Sequence, residues 1–139
     1  MKILSIETAT SRQSVALLDG DQVLARSDQE ARGAHARWLI PTIDRLLRDT
    51  GLSLRQLQGL AVSIGPGSFT GLRVGLATVL GFRLVTGLPV AAVPTLEGLA
   101  WNVRGSKRPI CPILKARTGQ VYWALYQIDA GEPGPHMHR

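Results

Sequence analysis

An apolar run from Leu60 to Ile64 leads straight into Gly65-Pro66-Gly67-Ser68-Phe69-Thr70-Gly71-Leu72-Arg73-Val74-Gly75, and helical periodicity continues from Phe69 to Val85. A buried strand, a glycine turn and a helix N-terminus in that order constrain this chain more than any other segment. Such a turn gathers backbone N–H groups into a concavity that suits an anion or a close-packed neighbour. The pattern alone leaves both uses open. Two phosphate motifs are excluded. A P-loop needs Gly-Lys-Ser/Thr at its end, where this turn continues as Gly71-Leu72-Arg73. A dinucleotide fingerprint needs glycine where Thr70 stands. Ser68 or Thr70 is the natural N-cap.

The 139 residues match one ordinary domain able to bury roughly two-thirds of its unfolded surface. Hydrophobic residues at 45% against 19% charged predict a core-forming protein. No apolar run approaches the ~20 residues of a membrane span, so no membrane role is expected. The start Met1-Lys2-Ile3-Leu4 enters a strand without the pattern of a signal peptide. The single Cys111 excludes an internal disulfide and fits a reducing cytoplasm. A net charge of +6 raises nucleic acid as a partner. Basic residues are scattered, with Arg104, Lys107 and Arg108 the densest group, and aromatics total only 5%. That composition points to assistance within an RNA-handling assembly rather than to an autonomous base-stacking module.

Strands are expected at Ile3 to Ile6, Ser14 to Leu18 and Gln22 to Arg26, the last two joined by Asp19-Gly20-Asp21. A helix follows from about Ala34 to Thr50, ended by Gly51, with Leu39, Ile43, Leu46 and Leu47 as its core stripe. Ser53-x-x-Gln56 forms a capping box before the Leu60 strand. After the second helix come a strand at Pro89 to Val93, a short helix at Leu96 to Asn102, and paired strands at Ile113 to Ala116 and Val121 to Ile128. A meander followed by alternating strands and helices is an α/β arrangement, not a doubly wound parallel sheet. The segment Ala130 to Arg139 reads as a disordered tail, and His136 and His138 lack the further ligands a metal requires.

Both long helices carry more than a core stripe. Gly71, Gly75 and Thr78 make a small-residue face on the second helix, beside Leu72, Leu76, Val79 and Leu80. On the first, Trp38, Thr42 and Arg45 share a stripe of the residue types favoured in interfaces, with Pro41 near the first turns. A partner interface through Trp38, Pro41, Thr42, Arg45, Gly71, Leu72, Gly75, Leu76, Thr78 and Val79 is expected. The competing reading is a central helix buried within one domain.

Four segments resemble the TsaB/YeaZ family, accessory subunits of bacterial tRNA threonylcarbamoyladenosine synthesis. They are Ile3-Leu4-Ser5-Ile6-Glu7-Thr8, Gly65 to Gly75, Pro94-Thr95-Leu96-Glu97-Gly98-Leu99 and Ala116-Arg117-Thr118-Gly119-Gln120-Val121-Tyr122. The resemblance implies the actin/Hsp70-like ATPase (ASKHA) fold, with an RNase-H-like N-terminal lobe at 1–109. It implies only the first hairpin of a shortened second lobe at 110–129, before the tail at 130–139. It also implies a nucleotide or anion wall at Glu7, Thr8, Gly65, Gly67 and Ser68. Family members usually carry Asp where Glu7 and Lys115 stand, so Lys115 reverses a charge. The catalytic paralogue TsaD holds its metal with two histidines at the positions of Thr95 and Leu99. Neither residue is a serviceable metal ligand, so no metal and no catalytic residue is expected.

The resemblance therefore implies a non-catalytic cytoplasmic partner of TsaD, joined by the ATPase TsaE, homodimeric when alone and touching tRNA only indirectly. It would have no cofactor of its own, with ATP or ADP at the partner interface. Two rivals are an autonomous ATPase or kinase of the same superfamily and a peptidase. The peptidase lacks a credible base, since His35 is the sole internal histidine and reads as a surface residue.

Overall fold

The computed structural model describes residues 1–127 and the backbone of the short strand His136–Met137. Five strands form one sheet in the order β3-β2-β1-β4-β5: β1 Lys2–Glu7, β2 Arg12–Asp19, β3 Gln22–Glu30, β4 Gly59–Ser63 and β5 Val90–Val93. β1, β2 and β3 run antiparallel, while β4 pairs parallel with both β1 and β5. The meander exceeds the sequence reading, β3 running on to Glu30, because β2 supplies partners as far as Arg12.

Side-chain alternation divides the sheet into unlike faces. Leu4 and Ile6, Val15 and Leu17, and Leu60 and Val62 point to one side, all essentially buried. There they meet Leu39, Ile43, Leu46 and Leu47 of α1 (His35–Thr50) and Val79 of α2 (Phe69–Thr86). At roughly 25 cal/mol per Å2 of apolar surface removed from water, this layer dominates the stability. The intervening residues Ser5, Glu7, Ser14 and Ser63 belong to the opposite, polar face. Gly51 and Gly87, both left-handed, end α1 and α2. The expected capping box closes the 3-10 turn Leu54–Gln56.

α2 is 18 residues long and, by length and composition alone, apolar enough to cross a membrane. The expectation that no segment comes near that limit is thus corrected. Its Gly71, Gly75 and Val79 face nevertheless packs on the sheet.

α3 (Thr95–Trp101) buries Leu96 and Ala100 against Tyr126 in a second, small core. The expected strand Val121–Ile128 is broken. β7 (Val121–Trp123) pairs with β6 (Ile113–Lys115), whereas β8 (Tyr126–Gln127) pairs with β9 (His136–Met137). Tyr126 also bridges Ile110, which redirects the chain after Trp123. β9 replaces part of the expected disordered tail; the remaining tail residues and the side chains of His136 and His138 lie outside the described residues.

Candidate functional site

The glycine turn follows β4, and its Gly65–Pro66 peptide is cis. Ser68 is the N-cap of α2, its hydroxyl accepting from Gly71 N–H at 3.2 Å. The Ser68 N–H donates to Ala9 O at 2.6 Å, and Thr8 Oγ1 donates to Gly71 O at 2.8 Å. A Cβ on Gly67 would overlap the Ala9 carbonyl, and one on Gly71 the Thr8 carbonyl. A Cβ on Gly75 would overlap the Thr8 hydroxyl. Of the two uses left open by the sequence, close packing against the end of β1 is what these three glycines serve. Thr8 is fully buried, which removes its side chain from the expected anion wall.

Two hollows flank the Ala9–Ser11 turn. The first, of about 530 Å3, lies on the polar face and includes Glu7, Ser63, Thr95, Leu99 and the exposed Arg12–Asp28 ion pair. Burial pushes the Glu7 carboxyl above the ordinary glutamate range of 4.5. A hydrogen bond from Ala9 N–H and the proximity of Ser63 and His35 partly oppose that rise. The second hollow, of about 540 Å3, lies between Gly67, Ser68 and Phe69 on one wall and Lys115, Arg117 and Tyr122 on the other. Among the described residues, two cations line it and no carboxylate does. The expected wall is thus divided: Glu7 faces the first hollow, while Gly67 and Ser68 face the second.

His35 corrects an expectation outright. It is 2% exposed, with Nε2 3.0 Å from Thr10 O, and so ties the start of α1 to the turn between the hollows. Its seat at the inward edge of the first helical turn hides it. The spacing His35, Leu39, Thr42, Ile43 on the core stripe is the signal that could have revealed this.

The expected interface is also rearranged. Thr42, Gly71, Gly75 and Val79 are buried within this chain, so none of them is open to a partner. Thr42 Oγ1 lies 3.5 Å from both Gln13 Nε2 and Gln29 Nε2, and Arg45 reaches Ser27 on β3. The Trp38–Arg45 flank thus leans over β3, away from α2, because α1 covers β2 and β3 while α2 lies over β4. Leu72, Leu76 and Thr78 are half-buried at the margins of α2, and Trp38, Pro41 and Arg45 are exposed. The outward stripe of α2 is instead Phe69, Arg73, Ala77, Leu80 and Leu84, diametrically opposite the glycines. Leu84 is 87% exposed and Phe69 68%. Ile40, half-exposed, lies on the flank of α1 opposite Trp38. Recognition of this stripe required knowing which way the glycines face.

Among the described residues, no group of three His, Cys, Asp or Glu could hold a metal ion. A family model described as "TsaD: tRNA N6-adenosine threonylcarbamoyltransferase" matches residues 27–133. Within that span Thr95 and Leu99, the two positions expected to carry no metal ligand, stand one turn apart on α3 at the first hollow. The chain is 40% identical over 132 residues to the tRNA threonylcarbamoyladenosine biosynthesis protein TsaB of Escherichia coli, covering 93% of this chain and 56% of that protein. It is 37% identical to the Bacillus subtilis protein of the same name, covering 94% and 57%. The chain belongs to the TsaB/YeaZ family. YeaZ from Pseudomonas aeruginosa superposes with a TM-score of 0.87 at 30% identity, covering 99% of this chain and 64% of that one. A ROK hexokinase from Thermus thermophilus, at 14% identity and a TM-score of 0.55, shares the fold alone, over 90% of this chain and 46% of its own. The fold is the actin-like ATPase α/β fold. The chain spans rather more than half the length of its TsaB relatives.

Proposed function

We propose that this chain is a non-catalytic partner subunit in N6-threonylcarbamoyladenosine modification of tRNA, supporting TsaD through the outer faces of its two long helices. The carrying observation is the Phe69–Arg73–Ala77–Leu80–Leu84 stripe, a largely apolar helix face open to water in which the one charge, Arg73, lies over the Phe69 ring at 3.9 Å. Such a face fits helix-to-helix docking. The names of the TsaB relatives and the family-model match favour TsaD as the occupant. In this reading residues 1–109 form the docking lobe and 110–129 the start of a second lobe. TsaE joins in the cytoplasm, tRNA is contacted indirectly, and the same helix face closes a homodimer when TsaD is absent.

The test is isothermal titration of TsaD into the chain, paired with reconstituted tRNA modification. Leu80→Asp with Leu84→Asp should reduce TsaD affinity at least tenfold while leaving the circular dichroism spectrum unchanged. Undiminished affinity removes this stripe from the interface. A probe at Gly75 is unsuitable, because a leucine there would collide with Thr8 and disturb the fold itself.

A second reading has one observation in its favour. The hollow of Gly67, Ser68, Lys115 and Arg117, without a carboxylate among the described residues, has the chemistry of a phosphate wall, which suits ATP or ADP at a partner interface or an autonomous ATPase. Calorimetry with ATP and Mg2+ separates these: binding with turnover by the chain alone would overturn the scaffold reading. A peptidase has no such support, since His35 is buried against Thr10.

A further inference from the structure

The outward stripe of α2 holds one charge that no acid among the described residues answers. Arg73 is exposed, and its guanidinium lies over the Phe69 ring at 3.9 Å from the centroid. Stacking on an aromatic face steadies the planar fork and leaves the N–H donors along its edge free to bond. The five ion pairs among the described residues do not include it. Phe69 borders the second hollow but Arg73 does not line it, so the phosphate reading of that hollow makes no use of this cation.

The surrounding charges have the same sign. α2 carries Arg73 and Arg83 and no acid in its 18 residues. α1, packed beside it, carries Arg37, Arg45 and Arg48 against Asp44 and Asp49. Asp44 is already bonded to Arg48 at 2.6 Å. Asp49 lies one turn beyond Arg45 and so shares the flank that leans over β3. The two helices thus present apolar area with an excess of positive charge. A wholly apolar cover would strip water from the Arg73 guanidinium without replacing its hydrogen bonds, which is costly. A second copy would meet the same difficulty, because a two-fold interface sets one patch against itself.

We infer that Arg73 sets the specificity of this face: it accepts a partner helix whose apolar side bears an Asp or Glu carboxylate, and it disfavours a second copy of this chain. The inference rests on the docking reading above and adds to it the chemistry of the occupant. A carboxylate meets the guanidinium fork through two parallel hydrogen bonds, while Leu80 and Leu84, further along the stripe, supply the apolar contact. Selection comes from both signs, attraction to the acidic helix and repulsion between like faces. The two associations therefore respond oppositely to salt, since screening weakens the first and relieves the second.

The experiment uses the full 139-residue chain, titrated with TsaD by calorimetry and followed alone by sedimentation equilibrium. Each measurement is made at about 50 and about 500 mM NaCl, spanning weak and strong screening. At the lower salt Arg73→Gln should weaken TsaD binding by about tenfold or more, and should remove most of the salt dependence. Arg73→Lys should recover part of the affinity, since it keeps the charge and loses the fork. Arg104→Gln, an exposed position in the loop after α3, should stay within about twofold of the wild type. Circular dichroism confirms that each variant is folded. Self-association should show the reverse, tightening with salt and running severalfold tighter in Arg73→Gln than in the wild type. Full affinity for TsaD in Arg73→Gln, with Leu80→Asp and Leu84→Asp still weakening it, would overturn this inference and leave the docking face standing. Undiminished affinity in both would remove the face as well. Self-association that loosens with salt would mean that a second copy supplies its own carboxylate, and would overturn the selectivity.

Discussion

Thr8 and Gly71, 63 residues apart, hold each other at backbone distance: Thr8 Oγ1 donates to Gly71 O at 2.8 Å, and the Thr8 carbonyl occupies the space a Gly71 side chain would need. The end of β1 and the first turn of α2 are thereby locked together. Gly75 repeats the approach one turn later. Neither side of this contact can withdraw without moving a strand or a helix.

Gly71→Ala should accordingly destabilise the fold by about 3 kcal/mol or more, the upper end of overpacking costs, because backbone rather than a flexible side chain is in the way. Gly81→Ala, on the same helix, meets nothing within 4 Å and should stabilise by up to about 1 kcal/mol through helix propensity. Urea unfolding of the two variants checks both signs. Equal effects would mean that the Thr8 contact is not what holds glycine at position 71.

Glu7 predicts a pH dependence. Its carboxyl titrates above 4.5 in the native protein because burial disfavours the charge. Between the unfolded value and the raised native one, the folded state binds more protons. Stability therefore falls as pH rises through that window and stays reduced above it. Glu7→Gln should match the wild type at low pH and gain on it as pH rises to neutrality. Parallel stability-against-pH curves for the two proteins would show that Glu7 is not desolvated.

His35→Leu should cost about 1–3 kcal/mol, since it leaves the Thr10 carbonyl without its donor while preserving bulk in a buried seat. Hydrogen exchange should also quicken in the Ala9–Ser11 turn. An unchanged unfolding midpoint would show that the hydrogen bond contributes nothing.

Leu39 is wholly buried in the layer between α1 and the sheet. Leu39→Ala should lose about 2–5 kcal/mol by transfer and cavity terms. Ile40→Ala, its half-exposed neighbour, should stay within about 0.5 kcal/mol. Thermal unfolding monitored by circular dichroism distinguishes the two positions.

Local chemistry settled most of the chain's elements. Leu39, Ile43, Leu46 and Leu47 wrote the core stripe of α1 at helical spacing, and Gly51 stopped it. Ser68 or Thr70 marked the start of α2, of which the fold uses Ser68, and Ser53 with Gln56 marked the turn before β4. These features depend on neighbours three or four residues away, which a sequence displays directly. The segments around Glu7, Gly65–Gly75, Thr95 and Arg117 likewise carried the family. What the sequence could not contain was direction. Gly71 and Gly75 announce a close approach without saying to what, and only the folded chain shows Thr8 rather than a partner or an anion filling the space. That single orientation buries Val79, exposes Leu80 and Leu84, and moves the candidate docking face around the helix by half a turn. His35 and Thr42 were sealed in the same way, by the turn after β1 and by β2 and β3 closing over one side of α1. Spacing along a chain fixes which residues share a face; the partner of that face is chosen by contacts between segments far apart in sequence.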